Sequence, residues 1–206
     1  MFLRFDGKTG GLSTVAPPMD EPDQSYLYDP TDPVPTRMDI KKYPLEDIPL
    51  DQTPVESRPD VLIYSSEALL RELVLSGWPH LEMYASSTCE DTEWHVKITD
   101  VHPNGQSMKV TQGCLRASYR DSLEKPSPLE PGRIYSFNIE LWPTHHVFLP
   151  GHCIRLTITS SDFPWFARSM NCFGKIADLA VPIAATNSIF HTPIYPSCLK
   201  LPVQRA

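Results

Sequence analysis

Long apolar stretches are missing from this sequence: no run approaches the ~20 residues that a membrane-crossing helix needs. The opening Met1-Phe2-Leu3-Arg4-Phe5-Asp6-Gly7 has neither an uninterrupted apolar core nor a cleavage site, so no secretory signal is visible. Basic clusters are equally scarce. The pair Lys41-Lys42 sits among acidic neighbours in a chain of net charge −7, which speaks against nucleic acid as a partner. The five cysteines (Cys89, Cys114, Cys153, Cys172 and Cys198) form no Cys-x-x-Cys pair. That odd, scattered count favours free thiols in a reducing, cytoplasmic setting over a disulfide framework or a zinc site. Gly-x-Ser-x-Gly, the turn that strains a nucleophilic serine outward, is absent too. Gly10-Gly11-Leu12-Ser13-Thr14 comes nearest, but it lacks the second glycine and opens no helix.

What the sequence has in excess is proline. Its 22 prolines are roughly twice the usual ~5% share. Proline fixes φ and removes a backbone donor, so this density predicts many turns and no long helices. The breakers concentrate early, in Ala16-Pro17-Pro18 and Asp29-Pro30-Thr31-Asp32-Pro33-Val34-Pro35. Residues 1–59 therefore read as an irregular lead-in packed on the rest, with one short strand at Met1–Phe5 ended by Asp6-Gly7.

From Asp60 the pattern becomes strands and turns. Trp94, Val96 and Ile98 alternate with His95, Lys97 and Thr99, and Pro103-Asn104-Gly105 closes a hairpin onto a segment running to Tyr119. Tyr135, Phe137, Ile139 and Leu141 share one face, as do Ile154, Leu156 and Ile158 after the turn Pro150-Gly151. Further strands are expected near Leu73–Gly77, Leu81–Ala85, Thr186–His191 and Ser197–Val203. Period-2 alternation with closely spaced turns predicts an all-β, antiparallel sandwich over residues 60–206, one structural domain with its lead-in.

Side chains able to do chemistry have plainer readings at hand. His145 and His146 point to opposite faces of a strand, and no cysteine or carboxylate nearby completes a metal set with His152, so no metal is expected. Asp91 and Glu93 read as solvated acids near a strand start. Arg116, Arg120 and Arg155 should pair with Asp100, Asp121 or Asp162. Cys114 and Cys153 read as inert core packing. Phe163-Pro164-Trp165-Phe166 puts three aromatics on one loop, so Phe163, Trp165 and Phe166 should cap the core or meet another domain.

Nine blocks in order carry a resemblance. They include Tyr28-Asp29-Pro30-Thr31-Asp32-Pro33-Val34-Pro35-Thr36, Arg58-Pro59-Asp60-Val61-Leu62-Ile63-Tyr64, Ala85-Ser86-Ser87 and Asp91-Thr92-Glu93-Trp94. Gly113–Arg120, Leu129-Glu130-Pro131-Gly132, Val147–His152, Ser160-Ser161-Asp162-Phe163-Pro164 and Tyr195–Val203 continue the series. Together they resemble the C-terminal non-catalytic domain of the cocaine esterase and Xaa-Pro dipeptidyl-peptidase serine hydrolases (the CocE/NonD group). The resemblance implies a jelly-roll sandwich, galactose-binding-like, that packs against an α/β-hydrolase domain in cis or on a separate chain. It places the whole catalytic triad in that other domain, so no catalytic residue and no cofactor are expected here. It also brings Arg37–Leu50 toward the substrate mouth, with Tyr43 and Leu45 as lining candidates. A homo-oligomer fits the same reading. The sequence departs from the family at Arg37-Met38-Asp39, at Cys153 and at Ala167–Phe173, where the family has other residues. The competing expectation is a free-standing carbohydrate- or ligand-binding sandwich that uses Trp165 and Asn171.

Overall fold

The computed structural model describes residues 1–37, 50–174 and 181–204. Thirteen strands and one four-residue helix are found among the described residues, so the all-β reading holds. Strands β1 (Phe2–Phe5) and β2 (Gly10–Ser13) form a hairpin around Asp6-Gly7. The Asp6 carboxylate accepts the N–H groups of Lys8 (2.8 Å) and Thr9 (2.6 Å), and Gly7 supplies the left-handed φ of 88° that the turn requires. Strand β3 (Gln24–Tyr28) and helix α1 (Thr53–Glu56) complete the first part of the chain. The lead-in is thus less irregular than its prolines suggest, because β2 and β3 are sheet members.

The remaining strands are β4 (Leu62–Ser65), β5 (Leu73–Gly77), β6 (His80–Ser87), β7 (Glu93–Val101) and β8 (Ser107–Arg116). They continue with β9 (Tyr135–Glu140), β10 (Thr144–Phe148), β11 (Cys153–Thr159), β12 (Ala185–Ile189) and β13 (Cys198–Lys200). The main sheet runs β3-β12-β6-β13-β1-β2-β4-β11-β7-β8, with β9 also bonded to β6. Every pairing in it is antiparallel except the single parallel bridge of β2 to β4. β5 and β10 form a separate two-stranded ribbon. So Pro150-Gly151 does not close a hairpin. It carries the chain from the β10 ribbon to β11, which lies between β4 and β7.

The expected inward faces are the observed ones. Trp94, Val96, Ile98, Phe137, Ile139 and Leu156 are fully buried in one cluster, and the rings of Trp94 and Phe137 meet at 5.4 Å. Burial of such side chains contributes about 1.5–3 kcal/mol each. Two expectations fail near the end of β8. The strand stops at Arg116 and a 3-10 turn spans Ala117–Tyr119, because Asp91 accepts the Ser118 N–H (2.9 Å) and bends the chain away. Cys114 is exposed rather than in the core. It pairs with His95, so it lies on the face of the sheet opposite Trp94.

Candidate functional site: an aromatic ledge over a polar sheet face

Strand β7 commits Trp94, Val96 and Ile98 to the core, so Glu93, His95, Lys97 and Thr99 share its other face. An uncovered face would leave those polar groups in water, yet His95, Lys97 and Thr99 are buried. Two segments cover them. One is the stretch around α1: Gln52 Oε1 accepts from Lys97 Nζ (3.4 Å), and Glu56 accepts from Ser107 Oγ (2.6 Å), which also contacts Thr99 Oγ1 (2.7 Å). The other is Asp162–Phe166. Lys97 Nζ donates to Asp162 Oδ1 at 2.9 Å, an ion pair with both partners buried, and the edge of Phe166 meets the His95 ring at 5.1 Å. His95 Nε2 donates to Glu93 (3.2 Å), which satisfies the imidazole.

The aromatic loop is held rigidly in place. Phe163 N–H donates to Val34 O (3.0 Å) and Thr36 N–H to Phe163 O (2.7 Å). Thr36 Oγ1 donates to Asp162 O (2.7 Å) and accepts the Trp165 N–H (3.2 Å). Val34 N–H donates to Ser161 Oγ (2.8 Å) from the other side. Phe166 is half-buried against the polar face, as capping requires, but Phe163 and Trp165 stay 42% and 47% exposed. Those two do not cap this chain's core. Tyr43 and Leu45 lie outside the described residues.

Two of the three arginines settle into different pairs from those the sequence suggested. Arg116 Nε donates to Asp91 (2.6 Å), whose other oxygen accepts the Thr92 and Ser118 N–H groups. Asp91 is therefore a fully buried structural carboxylate and not a solvated acid. Arg155 pairs with Glu56 (2.6 Å), which anchors α1. Arg120 does reach Asp121 (3.3 Å), while its plane lies 4.4 Å from the Tyr135 ring. Asp162 is the partner of Lys97, and Asp100 faces histidines.

No triad assembles among the described residues. His145 Nδ1 and Ser76 Oγ are 3.1 Å apart on the outer face of the β5–β10 ribbon, and no described carboxylate orients that imidazole. Ser13 Oγ accepts the Val15 N–H (3.0 Å), and no described histidine bonds to it. Thiol chemistry is disfavoured as well, since desolvation raises the pKa of Cys89 and Cys198 away from the thiolate. Asn171 is buried, with φ of 60°, and its amide donates to Ile183 O (2.6 Å). A sugar site built on Trp165 and Asn171 therefore lacks its polar half.

An all-β fold with a rigid aromatic ledge and no triad assembled among its described residues has the character of an accessory module. The chain belongs to the X-Pro dipeptidyl-peptidase C-terminal non-catalytic domain family, whose profile matches residues 2–199. It is 38% identical over 200 residues to the cocaine esterase of Rhodococcus sp. (strain MB1 Bresler), covering 95% of this chain and 35% of that protein. Two solved structures share the fold. An aminopeptidase from a marine sediment Thaumarchaeota archaeon superposes with TM-score 0.90 at 27% identity, over 99% of this chain and 36% of its own. An α-amino acid ester hydrolase gives 0.88 at 29%, over 98% and 36%. This chain thus spans about a third of the length of its relatives.

Proposed function

We propose that the chain serves as the non-catalytic module of a serine acyl-hydrolase or peptidase of the CocE/NonD group. It would pack against an α/β-hydrolase domain, in cis or on a separate chain, that supplies serine, histidine and aspartate. The observation that carries this reading is the ledge: Phe163 and Trp165 are half-exposed yet fixed by five hydrogen bonds between Val34–Thr36 and Ser161–Trp165. Large apolar side chains held rigidly in water are costly unless another surface covers them. Phe163, Trp165 and Phe166 are then interface residues, and Tyr43 and Leu45 line the substrate mouth. Residues 1–59 and 60–206 act as one structural domain, with the jelly-roll arrangement of the resembling family. The free thiols of all five cysteines support a reducing, cytoplasmic setting. No helix of the described residues is long and apolar enough to cross a membrane.

The test uses a chimera in which this chain replaces the matching C-terminal third of the Rhodococcus cocaine esterase. The chimera should hydrolyse p-nitrophenyl acetate, whereas the chain alone should not. Trp165→Asp should lower turnover or thermal stability of the chimera while leaving the melting temperature of the isolated chain unchanged. A chimera indifferent to Trp165→Asp would overturn the role of the ledge.

A further inference from the structure

Buried acids in this fold are matched with permanent cations: Glu21 with Arg4, Glu56 with Arg155, Asp60 with Arg58, Asp91 with Arg116 and Asp162 with Lys97. Asp100 breaks the pattern. It is 3% exposed, and its ion-pair partners among the described residues are imidazoles alone. His152 Nδ1 lies 2.8 Å from Oδ1, His146 Nε2 lies 3.0 Å from Oδ2, and His102 Nε2 lies 3.9 Å from Oδ2. A carboxylate at that depth calls for positive charge.

We propose that Asp100, His102 and His152 form a binding site for a divalent, late first-row transition metal ion of the zinc class. The three residues present ligand atoms that all lie within 4.8 Å of one another. The sheet register explains the convergence. Cys153 pairs with Val101 in the β11–β7 ladder, so the next position sets His152 across from His102, with ring centroids 4.5 Å apart. Asp100 stands two residues before His102, on the same face.

The backbones at both histidines are fixed. His102 N–H donates to Gln106 O (2.8 Å) and its carbonyl accepts from Gly105 (2.9 Å). His152 N–H donates to Leu149 O (3.1 Å) and its carbonyl accepts from Leu69 (2.8 Å). Zinc binds nitrogen and carboxylate oxygen at about 2.0–2.2 Å. The cluster therefore has to draw in by a rotation of His102, the most exposed member. Two imidazoles with one carboxylate suit zinc, cobalt, nickel or copper better than magnesium or calcium, which prefer all-oxygen sets. Three protein ligands leave a position open for water or an outside ligand. His146 holds the second carboxylate oxygen, the outer support that orients ligating groups.

The experiment is calorimetric titration of the untagged, chelator-stripped 206-residue chain with zinc chloride and nickel chloride, with thermal melts in parallel. One equivalent of zinc should bind and raise the melting temperature. His102→Ala and His152→Gln should each weaken binding by about tenfold or more, with a native circular dichroism spectrum, while His145→Ala should bind like the parent. Absence of stoichiometric binding by the parent chain overturns the site. Undiminished affinity in both folded variants, His102→Ala and His152→Gln, overturns it as well.

Discussion

At the scale of single residues, His191 links stability to pH. Pro22 O has only lone pairs to offer, so His191 Nδ1–H donates to it (3.0 Å), and the neutral ring's Nε2 accepts from Tyr64 O–H (3.0 Å). Burial depresses the His191 pKa below 6.5 and raises that of Tyr64, so both stay uncharged. A group depressed in the fold stabilises fully above its unfolded value, and that contribution is lost as pH falls toward the folded value. Urea midpoints should therefore drop between about pH 7.5 and pH 5.5, and His191→Gln should flatten that dependence. Lys97 gives a second prediction. Lys97→Met strands Asp162 in the interior and should cost about 3–5 kcal/mol in urea unfolding, most of it recovered in Lys97→Met/Asp162→Leu. Neither role was legible in the sequence. Alternation around Val96 and Ile98 shows that Lys97 faces away from the core, but it cannot show that another segment covers that face. The Asp100 cluster was hidden for a similar reason, since its histidines His146 and His152 lie 46 and 52 residues away along the chain.

At the scale of elements, most strands beyond Asp60 were readable because β-branched and aromatic residues alternate between turn residues, and β5 through β9 and β11 through β13 fall close to the expected segments. β2 was missed because Gly10-Gly11 has poor strand propensity. Its glycine has a packing reason: a Cβ on Gly10 would sit 1.9 Å from Ile63 O, where β2 passes β4. Gly113 has the same reason on β8, where a Cβ would lie 2.3 Å from Glu140 O. Gly10→Ala and Gly113→Ala should each destabilise by about 1–3 kcal/mol, measured as a lower denaturation midpoint. Removal of the largest buried ring on β7, in Trp94→Ala, should cost about 3–5 kcal/mol by the same measure. The aromatic loop was recognised as unusual from its composition. Its division of labour, with Phe166 turned in and Trp165 out, depended on Thr36 and Val34, more than a hundred residues earlier.

At the scale of the whole molecule, the first and last strands are neighbours in the middle of the sheet. β1 pairs with β13, Met1 N donates to Leu199 O (2.6 Å), and Leu3 N–H donates to Ser197 O (2.9 Å). β13 in turn separates β1 from β6. Synthesis delivers these partners almost two hundred residues apart, so a nascent chain emerging from the ribosome has β1 and β2 waiting beside an unfilled slot. Long-range pairing of this kind slows folding, because the loop-closure entropy is lost before the contact is gained. The domain should thus mature only after Leu201 has cleared the exit tunnel. Stalled translation products ending before Pro196 should remain protease-sensitive, while those lengthened by a linker that carries Leu201 out of the tunnel become resistant.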